Sequence, residues 1–149
     1  MISMPKEKLI VDANILMSTL ITQQGKVAHK FLKLAKEYHL VSCQFLYIEL
    51  FKHKDRILKA SKLEEEEFLD YLLSILNNIE FISEILIPED IFKQAQELVS
   101  GIDERDVNYV ALSIHLNSPI WTGDRKLSSG LKDKGFINLV QTSDFDEYS

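Results

Sequence analysis

Short apolar runs alternate with amphipathic helical patterns along this chain, and this alternation is the feature that most constrains its fold. The strand-like runs are Leu9–Val11, Leu40–Ser42, Glu80–Ile82, Ile120–Thr122 and Ile137–Val140. Strands separated by helices pair in parallel, because each helix returns the chain to the same end of the sheet. The sequence therefore predicts an α/β sandwich with a central, mainly parallel sheet and helices on both faces.

Helical periodicity fills the segments between the strand-like runs. Residues 27–38, 91–99 and 107–114 place apolar side chains on one helical face. Residues 63–79 do the same, and the four glutamates Glu64–Glu67 fall where negative charge suits the start of a helix. Gly101 and the segment from Asn117 to Pro119 mark helix ends.

Length and composition favour a single domain spanning residues 1–149. Only 5 Gly and 3 Pro leave no room for a long flexible linker. The single cysteine, Cys43, excludes an intrachain disulfide and agrees with a reducing compartment. The apolar run before Asp12 is too short for a signal-peptide core, and no later run approaches a membrane span. We therefore expect a cytoplasmic protein with no membrane contact.

The net charge of −6 argues against nucleic-acid binding through a broad basic face. It leaves room for a local basic strip beside an acidic site, because a bound divalent cation reverses the local sign of the charge.

Two carboxylates follow strands at the edge where function collects in parallel sheets. Asp12 comes directly after the first strand, and Asp124 comes two residues after the fourth. Each of them, taken alone, is also explained as a turn residue or a helix cap. The position predicts that both acids lie at the same edge of the sheet.

Two further acids lie in apolar surroundings. Glu49 interrupts the helical run "FLYIELF" and needs a compensating partner, an Arg, a Lys or a metal ion. Asp106 lies at the margin of the apolar face of the helix that follows, and capping that helix is its alternative role. Asp103 is interpreted as the N-cap of the same helix.

The four acids Asp12, Glu49, Asp106 and Asp124 together indicate a site for a hard cation. Carboxylate oxygens without an accompanying His or Cys suit Mg²⁺ or Mn²⁺ better than zinc. Sites of this kind usually act on phosphates, where the ion orients a water molecule and offsets charge on the leaving oxygen.

Four segments of the chain, in order, resemble a PIN domain. They are "LIVDANIL", "FLYIELF", "DERDVNYVALSIHLNSPIWTGDRKL" and "NLVQTSDF". The most specific part is "WTGD" followed by "KL", which comes 18 residues after the Asp that begins "DVNYVAL". The resemblance covers nearly the whole chain.

The resemblance implies a three-layer α/β/α domain that acts as a metal-dependent ribonuclease. The family's four acidic positions map onto Asp12, Glu49, Asp106 and Asp124, which would hold Mg²⁺ or Mn²⁺ and carry the catalysis. Its ligand-orienting positions map onto Asn14 and Thr122, and Asp103 lies where some members carry an additional acid. The implied reaction is endonucleolytic hydrolysis of RNA that leaves 5′-phosphate and 3′-hydroxyl ends.

Cations near these acids are candidates for binding the phosphates of an RNA substrate. Arg125 and Lys126 flank Asp124 and are the preferred candidates. A second group continues the helix that bears Glu49: Lys52, Lys54, Arg56 and Lys59. A solvated helix surface is the alternative for each of them.

The resemblance also implies partners. Small PIN proteins are often toxins of the VapC type, which commonly form homodimers and bind an antitoxin. The helix around Glu49 carries apolar residues over too much of its circumference for one buried face, which indicates either a partner groove or a wholly buried helix. The residues that give this apolar coverage are Leu46, Tyr47, Leu50, Phe51, Ile57 and Leu58.

Two other functions compete with the ribonuclease. A non-catalytic RNA-binding or assembly module with the PIN fold would keep the fold without turnover. A phosphoryl-transfer protein with Asp12 as the nucleophile is disfavoured, because haloacid-dehalogenase phosphatases need a second Asp where this chain has Asn14. The RNA target, the number of metal ions and the identity of an antitoxin are not encoded in any readable pattern.

Overall fold

All five strands in residues 6–146, the part of the chain that the computed structural model describes, join one parallel sheet. The strands are β1 (Lys8–Val11), β2 (His39–Cys43), β3 (Glu80–Ile82), β4 (Ile120–Trp121) and β5 (Leu139–Val140). Their order in the sheet is β3-β2-β1-β4-β5, and every neighbouring pair is parallel. The predicted strands are confirmed, although β4 stops one residue early and β5 begins two residues late, after the exposed Ile137.

Within residues 6–146, seven α-helices flank the sheet and complete the predicted α/β/α sandwich. The helices α1 to α4 pack on one another, as do α5 to α7, and each group also contacts strands. The helices are α1 (Ala13–Ile21), α2 (Lys26–Glu37), α3 (Phe45–Ser61), α4 (Glu65–Leu76), α5 (Glu89–Val99), α6 (Val107–Leu116) and α7 (Arg125–Asp133). Helix α1 follows β1 with only Asp12 between them.

The core is centred on β1 and β4, which are covered on both faces. Leu9, Ile10 and Val11 are fully buried, which explains why β1 is a continuous apolar run instead of an alternating one. Trp121 of β4 stacks on Phe31 of α2, with 6.4 Å between the ring centroids. Its indole Nε1 donates a hydrogen bond to Oγ1 of Thr142, 3.1 Å away. A buried tryptophan therefore links the sheet, α2 and the C-terminal segment.

Local residues explain where α5 and α6 end. Gly101, just after α5, has a φ of +80°, a backbone conformation that costs glycine little. Asn117 ends α6 with a φ of 50°, in the left-handed region that asparagine tolerates better than most residues. Both of the predicted ends are therefore confirmed.

The start of α3 depends on a residue distant in sequence. The carboxylate of Glu84, between β3 and α5, accepts hydrogen bonds from the backbone N–H groups of Gln44 and Phe45, each at 2.8 Å. These N–H groups lie at the N-terminus of the helix, where they have no partner within the helix and where negative charge is favourable. The helix that bears Glu49 is thus tied at its first turn to the segment after β3.

Cys43 closes β2 and is fully buried. Burial raises the pKa of its thiol to about 12. Among the described residues, no helix is long and apolar enough to cross a membrane.

The strand order reverses between β1 and β4, and this reversal creates a crevice. From β1 the chain builds outward through β2 to β3, and it then crosses back to place β4 on the other side of β1. The helices that follow β1 and β4 thus diverge, which opens a gap at the carboxyl ends of these two strands. Asp12 and Asp124 follow these two strands, as predicted.

Candidate active site

Asp12 combines a structural role with a place at the crevice. Its Oδ1 accepts a hydrogen bond from the backbone N–H of Ile15 at 3.0 Å and so caps α1. Asp12 is only 3% exposed and is not one of the residues that line the open cleft, but its charge acts on Asp106, which does line it. The capping alternative considered for this residue is therefore correct, and it is compatible with a role in the site.

Thr122 connects the two strand-end acids. Its hydroxyl accepts a hydrogen bond from the backbone N–H of Asp124 at 3.1 Å, and it hydrogen-bonds to the side chain of Asp12. Asp124 in turn caps α7, because its Oδ1 accepts a hydrogen bond from the N–H of Leu127 at 3.0 Å. Thr122 is completely buried, which fits the orienting role expected of it.

Glu49 finds a partner that the sequence did not indicate. The hydroxyl of Tyr109, in α6, donates a hydrogen bond of 2.5 Å to Oε1 of Glu49, in α3. Tyr109 is 1% exposed, and burial raises the pKa of its hydroxyl, so it remains a hydrogen-bond donor. The expected cations are farther away: the charges of Arg105 and His53 act on Glu49, but in residues 6–146 neither forms a salt bridge with it.

Asp106 and Asp103 differ from their expected capping roles. Asp103 caps a 3₁₀ turn, Glu104–Asp106, instead of α6 itself. Asp106 occupies the cap position of α6, but its side chain makes no capping hydrogen bond. Asp103 also forms a two-point ion pair with Arg105, with an Nη2–Oδ2 distance of 2.9 Å and an Nε–Oδ1 distance of 3.0 Å. Asp106 is therefore available to the crevice, whereas Asp103 is already paired.

The cleft at the crevice, called the acidic cleft below, has a volume of about 280 Å³. Four acids and three basic side chains share its lining, together with Asn14 and Met17. The acids are Glu49, Asp103, Asp106 and Asp124, and the basic side chains are His53, Arg56 and Arg105. Elements distant in sequence thus bring three of the four principal acids to one opening, and the buried Asp12 is close enough for its charge to act on Asp106.

Burial and the charges of neighbouring carboxylates raise the pKa values of Asp12, Glu49 and Asp106. Burial, together with the charges of Asp103, Asp12, Asp124 and Glu49, raises the pKa of Asp106 to about 7. The pKa of Asp12 is raised to about 6, chiefly by burial, and the Thr122 hydrogen bond works against this rise. Burial also raises the pKa of Glu49. Within residues 6–146, no Lys or Arg forms a salt bridge with any of the four principal acids.

The donor set suits a hard divalent cation, although the side chains are not fully gathered around one. Among the described residues, no three His, Cys, Asp or Glu side chains are already arranged as a metal-binding group. Asp12, Glu49 and Asp124 each accept protein hydrogen bonds instead. Because a carboxylate offers two oxygens and about four lone pairs, it can accept such a bond and still ligate a cation. The carboxylate oxygens of these acids therefore fit Mg²⁺ or Mn²⁺.

The remaining predicted site residues are distributed around the cleft. Asn14 is exposed and lines it. Arg125 and Lys126, in the first turn of α7, are exposed and are not among the lining residues, although the charge of Lys126 lowers the pKa of Asp103. Arg56, one of the alternative cations, does line the cleft.

Three residues at the cleft are not predicted as site residues from the sequence. Tyr109 has the pattern of a packing residue and His53 that of a surface or core residue, and Arg105 does not stand out at all. His53 lies four residues after Glu49 on the same helix, a spacing that places both side chains on one face. That spacing is the one sequence signal available for these three residues.

The fold and the acidic cleft define a PIN-type protein, and comparison with known families agrees. The family model described as "PIN domain" matches residues 10–143, so this chain belongs to the PIN domain family, whose members are generally nucleases. No curated protein matches the chain. The single-domain prediction for residues 1–149 stays a prediction, and its ends at residues 1–5 and 147–149 lie outside the described residues.

Two solved structures illustrate the fold that this chain shares with known proteins. The protein PAE2754 from Pyrobaculum aerophilum superposes with a TM-score of 0.63 at 15% sequence identity, covering 93% of this chain and 85% of that one. VapBC2 from Rickettsia felis, bound to a DNA fragment from its promoter, gives a TM-score of 0.63 at 17% identity, covering 90% and 96%. At this level of identity the likeness establishes the fold.

The raised pKa values predict how stability depends on pH in the presence of a chelator. Folded Asp12 and Asp106 hold protons to about pH 6 and 7, whereas the unfolded chain releases them near 3.8. The free energy of unfolding should therefore fall as the pH rises from about 4 to about 7. Asp106→Asn should flatten part of this decline, as urea denaturation at a series of pH values would measure. Identical profiles for the variant and the wild type would contradict the crowding of these acids.

Proposed function

We propose that this protein is a metal-dependent endoribonuclease and the toxin half of a toxin–antitoxin pair. The observation that carries the proposal is the acidic cleft, where Glu49, Asp106 and Asp124 line one opening and their charges interact with that of the buried Asp12. Burying a carboxylate without an ion-pair partner costs free energy. Acids whose pKa values are perturbed in this way cluster at functional sites, which supports a catalytic role for the cleft. Membership in the PIN domain family supports nuclease chemistry on independent grounds.

The chain's own residues would position the scissile phosphate. Asp12, Glu49, Asp106 and Asp124 would hold Mg²⁺ or Mn²⁺, with Thr122 fixing the two strand-end acids. A bound ion would supply an activated water molecule and charge stabilisation at the phosphate. Arg56, His53 and Arg105 line the cleft and would contact phosphate oxygens, although Arg105 would first have to leave its ion pair with Asp103. Arg125 and Lys126, on the adjoining turn of α7, would extend that contact along the RNA strand.

A cytoplasmic location would give such an enzyme access to RNA and would keep the buried Cys43 reduced. An antitoxin partner is supported by the likeness in fold to VapBC2 from Rickettsia felis, whose structure is bound to DNA from its promoter.

Variants of the strand-end acids test the catalytic proposal. Asp12→Asn and Asp124→Asn should each lower cleavage of total RNA in Mn²⁺ by more than about 100-fold, because each removes a ligand charge. Both should fold, because asparagine caps a helix as well as aspartate does. Sequencing of new 5′ ends measures the cleavage, and circular dichroism checks the fold.

The matched control is Asp133→Asn, an exposed acid at the end of α7, which should cleave like the wild type. Full activity in the Asp12 or Asp124 variant would refute the metal-site model. RNA that is retained but never cleaved by the wild type would favour the non-catalytic module.

Tyr109 is predicted to position Glu49 for cation binding. Tyr109→Phe removes the hydroxyl that holds Oε1, and we expect Mn²⁺ affinity to fall about 10- to 100-fold, as for other residues that orient metal ligands. Isothermal titration calorimetry measures the change.

Tyr71→Phe provides the comparison for this substitution. The Tyr71 hydroxyl donates to the backbone oxygen of Thr19 at 2.9 Å, so its loss also removes one hydrogen bond but touches none of the acids. Both variants should lose similar stability. Equal Mn²⁺ affinity in the two variants would show that Tyr109 has no positioning role.

A partner surface is proposed on α3 and α4. The interpretation of α3 as a wholly buried helix is wrong: Leu46, Leu50 and Ile57 are buried, but Tyr47 and Phe51 are 39% and 79% exposed. A groove of about 240 Å³ runs between the two helices, lined almost entirely by apolar side chains, and Leu69 and Leu73 of α4 add exposed apolar surface. Continuous apolar surface of this kind marks protein contacts.

A second copy and an antitoxin are the two proposed partners of this surface. Lys54 lines the groove, and Glu65 lies one turn before Leu69, so basic and acidic groups border the same apolar strip. In a two-fold symmetric contact the basic border of one copy can face the acidic border of the other. The same groove could take an amphipathic helix of an antitoxin.

Phe51→Asp should abolish both associations, because it places a charge in the apolar strip. Sedimentation equilibrium measures the homodimer, and co-purification with any small protein encoded beside the gene measures the antitoxin complex. Leu32→Asp, at a 51% exposed leucine on α2, is the matched control and should change neither. A wild-type protein that stays monomeric at all concentrations would contradict the homodimer.

A further inference from the structure

A second cavity opens beside the acidic cleft and shares a wall with it. Its volume is about 320 Å³, and Asn14, Met17 and Arg56 line both spaces. Ser18 and Ile21 continue the same face of α1 and line the second cavity but not the acidic cleft. The face of α1 therefore leads from the carboxylates into a separate, adjoining space, called the α1 cavity below.

The α1 cavity combines apolar walls with polar groups at its edges. Ile15, Ile21 and Val27 supply the apolar walls, of which Ile15 is buried. Thr142 is a built-in donor: its Oγ1 accepts a hydrogen bond from the Trp121 indole, so its own O–H proton can be donated elsewhere. Apolar walls with a few fixed polar groups are typical of small-molecule sites, and the volume lies near the lower end of their range, roughly 300–1,000 Å³.

Arg56 stands at the boundary between the two spaces. Its Nη2 lies 4.0 Å from Sδ of Met17, and its guanidinium lines both the acidic cleft and the α1 cavity. A guanidinium binds phosphate oxygens in a two-point geometry. One phosphate at this boundary would therefore have the carboxylates on one side and an apolar cavity with polar edges on the other.

We propose that the α1 cavity is a nucleoside subsite, which holds the base of the nucleotide joined to the scissile phosphate while Arg56 binds that phosphate. This inference rests on the proposed ribonuclease function. Nucleobases are flat, apolar on their faces and polar at their edges, which matches walls of Ile21 and Val27 beside Ser18 and Thr142. Single-stranded RNA can present an unstacked base in this way, whereas a base in a duplex cannot enter.

The subsite would give the enzyme a sequence preference at one position. Contacts with phosphates fix where the strand lies and contacts with bases select its sequence. Arg56 would therefore strengthen binding of all RNA sequences alike. The side chains of the α1 cavity would decide which base next to the cleavage point is accepted.

The test measures binding of the four ribonucleoside 5′-monophosphates by calorimetry, with and without Mn²⁺. Ser18→Trp fills the α1 cavity from an exposed position on α1, and we expect it to weaken the preferred monophosphate by ~10-fold or more, the scale of a lost base contact. Arg56→Gln should weaken all four monophosphates to a similar degree. Ser74→Trp, at an exposed serine of α4 that lines neither space, is the matched control and should bind like the wild type.

A second variant that fills the α1 cavity covers the case in which Ser18→Trp fails to fold. Gly123 lines the α1 cavity, and a Cβ added there meets nothing nearer than Cδ1 of Ile15 at 4.0 Å, so Gly123→Leu has room. Unchanged monophosphate binding in both filled variants, or no binding to the wild type, would overturn the subsite. This measurement does not depend on cleavage of RNA. A wild-type protein that cleaves no RNA but still binds a monophosphate through the α1 cavity would therefore refute the nuclease function without refuting the nucleoside subsite.

Discussion

The parallel pairing of β1 with β4 is the constraint on which the candidate site depends. In this register Val11 lies beside Trp121, so the next residues, Asp12 and Thr122, leave the sheet side by side. The pairing also reverses the strand order, which separates the helices that follow and leaves a gap above the strand ends. Glu49 and Asp106, carried by the surrounding helices, reach the same gap.

Helix capping explains how the fold tolerates so many acids in one place. Asp12 and Asp124 each cap the helix that begins after them, an interaction worth about 0.5–2 kcal/mol in other proteins. The hydroxyls of Thr122 and Tyr109 hold Asp12 and Glu49. These local interactions offset part of the repulsion among the carboxylates, and within residues 6–146 none of the four principal acids forms a salt bridge with a lysine or arginine.

Periodicity is enough to predict most of the fold, because strands and helices are set mainly by which side chains are buried. The five strands of residues 6–146 follow from it, whereas the ends of α5 and α6 follow from Gly101 and Asn117, which stop helices. The start of α3 does not, since its capping group is Glu84, a residue beyond β3. The strand-end position of Asp12, in contrast, can be inferred from its neighbours alone.

The partners of Glu49 show the limit of that approach. Tyr109 lies 60 residues away in sequence, and its hydroxyl is matched to Glu49 only through the packing of α6 against the sheet. Arg105 turns toward Asp103 because a 3₁₀ turn intervenes before α6, a distinction that apolar spacing cannot make. Contacts set by tertiary packing leave no local pattern to read.

The buried thiol of Cys43 has a practical consequence for labelling. With a pKa of about 12, almost none of it is thiolate near neutral pH, and thiolate is the form that reacts with alkylating probes and oxidants. A cysteine introduced on the surface would then be the only reactive thiol on the molecule. A fluorophore or spin label could be attached at one chosen point, on α3 or beside the crevice, without removing the native cysteine from the core.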